Sequence, residues 1–200
     1  MPLIALSLTR LAGPMLGVVI RLMLVIWLCM LSGCGRTSQQ MAADRIRALG
    51  CDVRFRPVGQ SFEVFWIEAA QRPQAADFVT TLEKFPSLET LILANTNCST
   101  DELSRLPVMP QLKMLDLSGN GLLDASCRPL TRFTSLEALI MDDNPLTDEC
   151  LTVLSQLRNL KALSLRSTQI TCSGREKLQA ALPGCLLILT EKIVSEKTEK

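Results

Sequence analysis

The chain contains no histidine and no tyrosine, its aromatic content is 4%, and its formal net charge is +1. Each shortage removes a class of function. Histidine is the commonest general base and the commonest metal ligand. Without it, a Ser or Cys nucleophile would need a Lys or a carboxylate to activate it, and no motif presents one. Eight cysteines are present, but no two form a Cys-x-x-Cys pair, so no zinc site is expected. So few aromatics cannot build a base-stacking surface, and so small a charge cannot hold a phosphate backbone. Neither nucleic acid, metal, cofactor nor catalytic residue is expected. What is present suits a packed core: 48% hydrophobic and 20% charged residues in 200, one domain with attachments or two very small ones.

Residues 1–33 carry Arg10 and Arg21 and no acid. Ten uninterrupted apolar residues follow Arg21, at 22–31. A spanning helix needs about 20, whereas ten suits the middle of a secretory signal. The run ends in Leu31-Ser32-Gly33-Cys34, which resembles the lipobox of bacterial lipoprotein signals. The resemblance implies a signal peptide over 1–33, cleavage before Cys34, and a lipid on that thiol as the membrane anchor. It also implies outward sorting where an outer membrane exists, since the retention signal in that family is an Asp where Gly35 stands. An earlier apolar stretch before Arg21 leaves two alternatives open: a start at Met15, or an uncleaved anchor with Arg21 buried at a cost. The tether, residues 34–40, is short; its last six residues reach roughly 20 Å when extended.

The rest of the chain repeats with a step of 24 residues, as from Asn120 to Asn144. Leu88, Leu112, Leu136 and Leu160 keep that step, as do Leu91, Leu115, Leu139 and Leu163. Leu93, Leu117, Met141 and Leu165 follow, then Thr96, Asn120, Asn144 and Thr168, then Cys98, Leu122, Leu146 and Ile170. A second half adds Leu106, Leu130, Leu154 and Leu178, then Met109, Phe133, Leu157 and Ala181. A degraded leading copy holds Val64, Ile67, Ala69, Leu82 and Phe85, and Leu187 and Leu189 close the series. The unit L-x-x-L-x-L-x-x-[NT]-x-[LIC] is similar to the leucine-rich repeat over residues 62–190. That resemblance implies an α/β solenoid, a short right-handed horseshoe with parallel strands on its concave face and helices on its convex face.

The residues supply physical reasons for such a coil. Leu-x-Leu alternation sends the leucines to one side of a short strand. An Asn side chain both donates and accepts, so Asn120 and Asn144 can bond to neighbouring coils. Thr96 and Thr168 can do only part of this, which predicts a weaker polar ladder at both ends. Ser99-Thr100-Asp101-Glu102 has capping-box spacing, and Thr147-Asp148-Glu149 puts acids in a first helical turn. Pro107 and Pro110 stop the helix before the next strand. Residues 41–61 read as an N-terminal cap: a helix over 41–49 ended by Gly50, then a hairpin turning at 57–60. Residues 191–200 form a charged tail.

Six cysteines lie beyond Cys34, at different repeat columns. Cys98 replaces a core leucine and reads as a small buried hydrophobe. Cys127 and Cys150, at near-equivalent positions in adjacent coils, are the pair best placed for a bridge; fully free thiols are the other reading. Asp116, Asp142 and Asp143 raise a calcium site or a hydrolytic carboxylate pair, but a solvated rim accounts for them more simply. Gly119-Asn120-Gly121 is a turn, since no Gly-Lys-Ser follows it.

Strand alternation leaves an outward row as the binding surface usual in this family. The candidates are Thr90, Ile92, Asn95, Met114, Asp116, Ser118, Ile140, Asp142, Asp143, Ser164 and Arg166. Arg166 apart, they are small and mixed, without the Trp, Tyr and Arg anchors that concentrate affinity. The functional expectation is a non-catalytic module at the bacterial cell envelope that binds a protein or glycan. A structural envelope scaffold without a dedicated ligand is the alternative, and an inhibitor of the ribonuclease-inhibitor-like kind a third.

Overall fold

The computed structural model describes residues 37–58, 61–69 and 76–189. The expected leader, Cys34, the hairpin turn at 59–60 and the charged tail lie outside them. The chain divides into units 1–40 and 41–200, and the first is described only over residues 37–40. There Thr37 N donates to Gln40 Oε1 and Gln40 N to Thr37 Oγ1, a reciprocal pair at the start of α1 (Ser38–Ala48). The helix thus begins three residues before the expected Met41, because this pairing caps it early. It ends as expected, with Gly50 at φ +85°. Among the described residues no helix is long and apolar enough to cross a membrane.

The second unit is built on one seven-stranded sheet whose strands follow chain order. β1 (Asp52–Val58) and β2 (Ser61–Glu68) form the antiparallel hairpin that the flanking strand patterns predict. From β2 onward every pairing is parallel: β3 (Thr90–Ile92), β4 (Met114–Asp116), β5 (Ala138–Ile140), β6 (Ala162–Ser164) and β7 (Leu186–Ile188). The register advances by one repeat per strand. Ile67 pairs with Leu91, Leu91 with Leu115, and so on through Leu139 and Leu163 to Leu187. These leucines point to one side, and the four in the good copies have no exposed surface. The remaining columns join them in one core, from Ile46, Val53 and Val64 to Leu178 and Leu187. Ile170, Ala181 and Leu189 are departures: all three stay half-buried, and Leu182 takes the buried place at the end of the last helix.

The return segments are more varied than the sequence suggests. α2 (Ala76–Leu82) serves the leading copy, and α3 (Thr100–Arg105) starts with the expected capping box of Ser99 and Glu102. The next coil, expected to be helical in the same way, instead uses a 310 helix, Asp124–Arg132. The reason is local. Leu123 stands at its N-cap and makes no side-chain cap, and Pro129 within it has no N–H to give to an α-helical bond. Thr147 restores a cap, opening a 310 turn (Asp148–Cys150) that runs into α4 (Leu151–Leu154). Thr171 then caps α5 (Cys172–Ala181).

Polar side chains couple the coils where the chain turns out of each strand. Asn144 Oδ1 accepts from Asn120 N and Leu122 N of the preceding coil, and its Nδ2 donates to Leu117 O, Met141 O and Asp142 O. Asn120 repeats the pattern one coil earlier, towards Thr96 N, Cys98 N, Leu93 O and Leu117 O. Thr96 and Thr168 each donate to a carbonyl of their own coil, Leu93 O and Leu165 O. The ladder is thinnest where threonine replaces asparagine, as expected.

Candidate functional site

The side of the sheet opposite the leucines carries two rows. Register places Trp66, Thr90, Met114, Ala138, Ala162 and Leu186 in one, and Glu68, Ile92, Asp116, Ile140, Ser164 and Ile188 in the other. The sequence candidates Thr90, Ile92, Met114, Asp116 and Ile140 are all half-buried strand residues on this side, and Ser118 and Asp142 are half-buried beyond it. Asn95, Asp143 and Arg166 are exposed where the chain leaves the strands.

Ser164 does not belong to the accessible surface, contrary to its place among the outward candidates. It is 6% exposed, because its hydroxyl donates to Asp142 Oδ1 of the preceding coil at 2.6 Å. The same oxygen accepts from Arg166 N at 2.8 Å. Asp116 Oδ1 accepts from Ser118 N and Ser118 Oγ, at 2.9 and 2.6 Å. Both carboxylates therefore help shape the turns that follow their strands. Those turns share one backbone device: Asn95, Gly119, Asp143 and Ser167, each one repeat from the next, all have φ between 55° and 64°. Gly119 has a second reason to lack a side chain, since a Cβ there would lie 2.1 Å from Asn95 Oδ1.

The row also contains an anchor that the sequence reading left out. Trp66 stands one repeat before Thr90 and pairs with it, so it begins the outward row. Arg54, its antiparallel partner on β1, lies over the Trp66 ring with its guanidinium carbon 3.8 Å from the centroid. The repeat step applied to position 90 would have found it. The outward surface therefore starts with a stacked Trp–Arg pair and continues through Met114, Ile92 and Ile140.

Two further coil-to-coil ladders escaped notice because their columns are charged rather than apolar. Glu89, Lys113, Glu137 and Lys161, also one repeat apart, stand just before successive strands and alternate in sign. Glu89 meets Arg56 at 2.6 Å and Lys113 at 3.4 Å, and Lys161 meets Glu137 at 2.7 Å. The hydrogen bond from Arg56, with the Arg56 and Lys113 charges, holds the Glu89 carboxyl below its usual range. Lys161 does the same for Glu137. An open groove of about 420 Å³ lies beside Lys113, Glu137 and Lys161. Glu137 is paired with Lys161 across it, and Lys113 is paired with Glu89. On the opposite side Asp124 accepts from both Thr147 N and Oγ1, and Asp148 accepts in the same way from Thr171.

Burial disfavours the thiolate at three of the cysteines. Burial, reinforced by the Glu102 charge, pushes Cys98 up to about 12, and burial raises Cys51 and Cys185. Such groups stay protonated at neutral pH.

Among solved structures the chain is similar to a leucine-rich repeat protein of Leptospira interrogans, 26% identical over 54% of this chain and 26% of that one, with a TM-score of 0.41. It is also similar to two internalins of Listeria monocytogenes. One is 21% identical over 55% of this chain and 37% of that one (TM-score 0.39). The other is 18% identical over 65% and 75% (TM-score 0.31). No family model and no curated protein matches the sequence. The chain's own register, one parallel strand and one leucine set per repeat, fits an α/β leucine-rich repeat fold.

Proposed function

We propose that this is a non-catalytic, protein-binding leucine-rich repeat module of the bacterial cell envelope, anchored by a lipid on Cys34. The observation that carries the binding reading is the outward sheet surface. Trp66, Ile92, Met114 and Ile140 are only half-buried, and no repeat requirement explains a tryptophan stacked on an arginine at their head. Aromatic and arginine side chains supply most of the affinity at protein interfaces. The apolar content of the rows favours a protein segment over a glycan, whose hydroxyls need polar partners.

In this reading the coils curve into a short horseshoe with the sheet on the concave side. Helix α1 and the β1–β2 hairpin close the first coil as a cap. Support for the cap comes from the switch to antiparallel pairing at β1, the burial of Ala43, Ile46 and Val53, and the bond from Arg47 to Val53 O at 3.1 Å. Support for the anchor is the lipobox resemblance alone.

A photo-crosslinking residue placed at Ile140 of the full chain, in the bacterium, is expected to give one discrete protein adduct. Combining it with Met114→Arg and Trp66→Ala should remove that adduct. An unchanged adduct would place binding elsewhere, and a spread of abundant envelope proteins would favour a structural scaffold. Asp116 and Asp142 are poorer test positions, because both hold neighbouring backbone. The mass of the mature N-terminus tests the anchor: a lipid-modified Cys34 is expected, and an unmodified or uncleaved terminus refutes it.

A further inference from the structure

Stacked coils bring residues one repeat apart side by side, and Cys127 stands one repeat from Leu151, the neighbour of Cys150. The two cysteines sit in consecutive 310 segments that pack against each other, Asp124–Arg132 and Asp148–Cys150. Both are buried, at 0% and 1% exposure. Both thiols are free in this structure, and a bridge between them needs Cα atoms about 4.4–6.8 Å apart. We propose that Cys127 and Cys150 are a disulfide site, a covalent clamp between two adjacent coils that closes while the exported chain folds.

The other thiols are placed differently. Cys98 Sγ points to Ser99 O and Cys185 Sγ to Leu186 O, each at 3.9 Å, and Cys172 is exposed. The Cys150 thiol instead feels the neighbouring Cys127 thiol, which, together with burial, raises its pKa. A raised pKa slows attack by the folded protein's thiol, because the thiolate is the nucleophile. Closure therefore belongs to the folding chain, before the coils seal over the pair. In that step one cysteine, as thiolate, attacks a small disulfide such as oxidised glutathione and displaces one thiolate. The second cysteine then attacks the mixed disulfide and displaces the other. The protein loses two protons and two electrons, and the oxidant becomes two thiols. Once the coils close, the bridge is sealed from reductants by the same burial. The inference rests on this pair and on the export reading above, and is independent of the outward binding surface.

The test takes the full chain, reduced and unfolded, and returns it to native conditions with detergent in a glutathione redox mixture. Remaining thiols are alkylated in urea before digestion and mass spectrometry. A dominant peptide pair joining Cys127 to Cys150 is expected, with Cys51, Cys98, Cys172 and Cys185 alkylated. Alkylation of both Cys127 and Cys150, or bonds scattered among the six, would overturn the assignment. Melting provides the second readout. Protein refolded from urea with reductant present throughout should melt roughly 5–10 °C below the oxidised protein. Cys127→Ala and Cys150→Ala should each abolish that response, and a response that survives both defeats the clamp.

Discussion

Single residues set the turns that separate strand from return segment. Asn144, 1% exposed, satisfies two amides and three carbonyls across two coils. Asn144→Ala takes a hydrogen bond from all five, of which only Leu117 O keeps another side-chain donor, Asn120 Nδ2, and urea titration should show a loss of about 3–4 kcal/mol, since each unpaired buried group costs about 1–3 and such costs overlap. Thr168→Val, which removes a single bond to Leu165 O, should cost only about 1 kcal/mol. Asp143 illustrates backbone cost instead. Its φ of 55° is easy for glycine and hard for a β-branched residue. Asp143→Val should therefore destabilise by about 1–2 kcal/mol while Asp143→Gly stays near neutral. Equal effects of the two substitutions would remove the left-handed turn from the explanation.

At the scale of elements, the return segments are tied together by side chains at their first turns. Asp148 grips the backbone and hydroxyl of Thr171, the N-cap of α5, and Gly174 lies directly beneath the carboxylate. A Cβ at Gly174 would come within 2.2 Å of Asp148 Oδ1. Gly174→Ala should thus break the clamp and cost about 1–2 kcal/mol although alanine is the better helix former. On the other side of the sheet, the charges before the strands respond to acid. Because Arg56 and Lys113 depress the Glu89 pKa, the ion pair contributes fully above the unfolded carboxyl value of 4.5 and is lost as pH falls through the lower folded value. Glu89→Gln should therefore flatten the decline of stability below pH 4.5, with little effect on the shape of the curve at neutral pH. A decline as steep in the variant as in the parent would assign the acid response to other groups.

For the molecule as a whole, the core is one continuous stack, so a defect in any coil is felt by its neighbours on both sides. Leu139 is central and fully buried, and Leu139→Ala should cost about 3–5 kcal/mol; Leu123, 60% exposed, should tolerate alanine within about 0.5 kcal/mol. Thermal melts of the two variants check the contrast directly.

The architecture was legible because a solenoid writes the same local instruction repeatedly. Leu91, Leu115, Leu139 and Leu163 lie on one side of a strand by alternation alone, and a constant step makes them neighbours without knowledge of any loop. The caps at Ser99 and Thr147 were legible for the same reason, being local. Other features depended on what one coil finds when it meets the next. Only the tertiary structure turned Asp142 towards Ser164 and Arg166 N, joined Arg56 to Glu89 across 33 residues, and laid Arg54 over the Trp66 ring. Hydrophobic periodicity names which side of a coil is buried. The partner of a carboxylate or a guanidinium is chosen by distances of a few tenths of an ångström between coils, and those exist only once the coils have stacked.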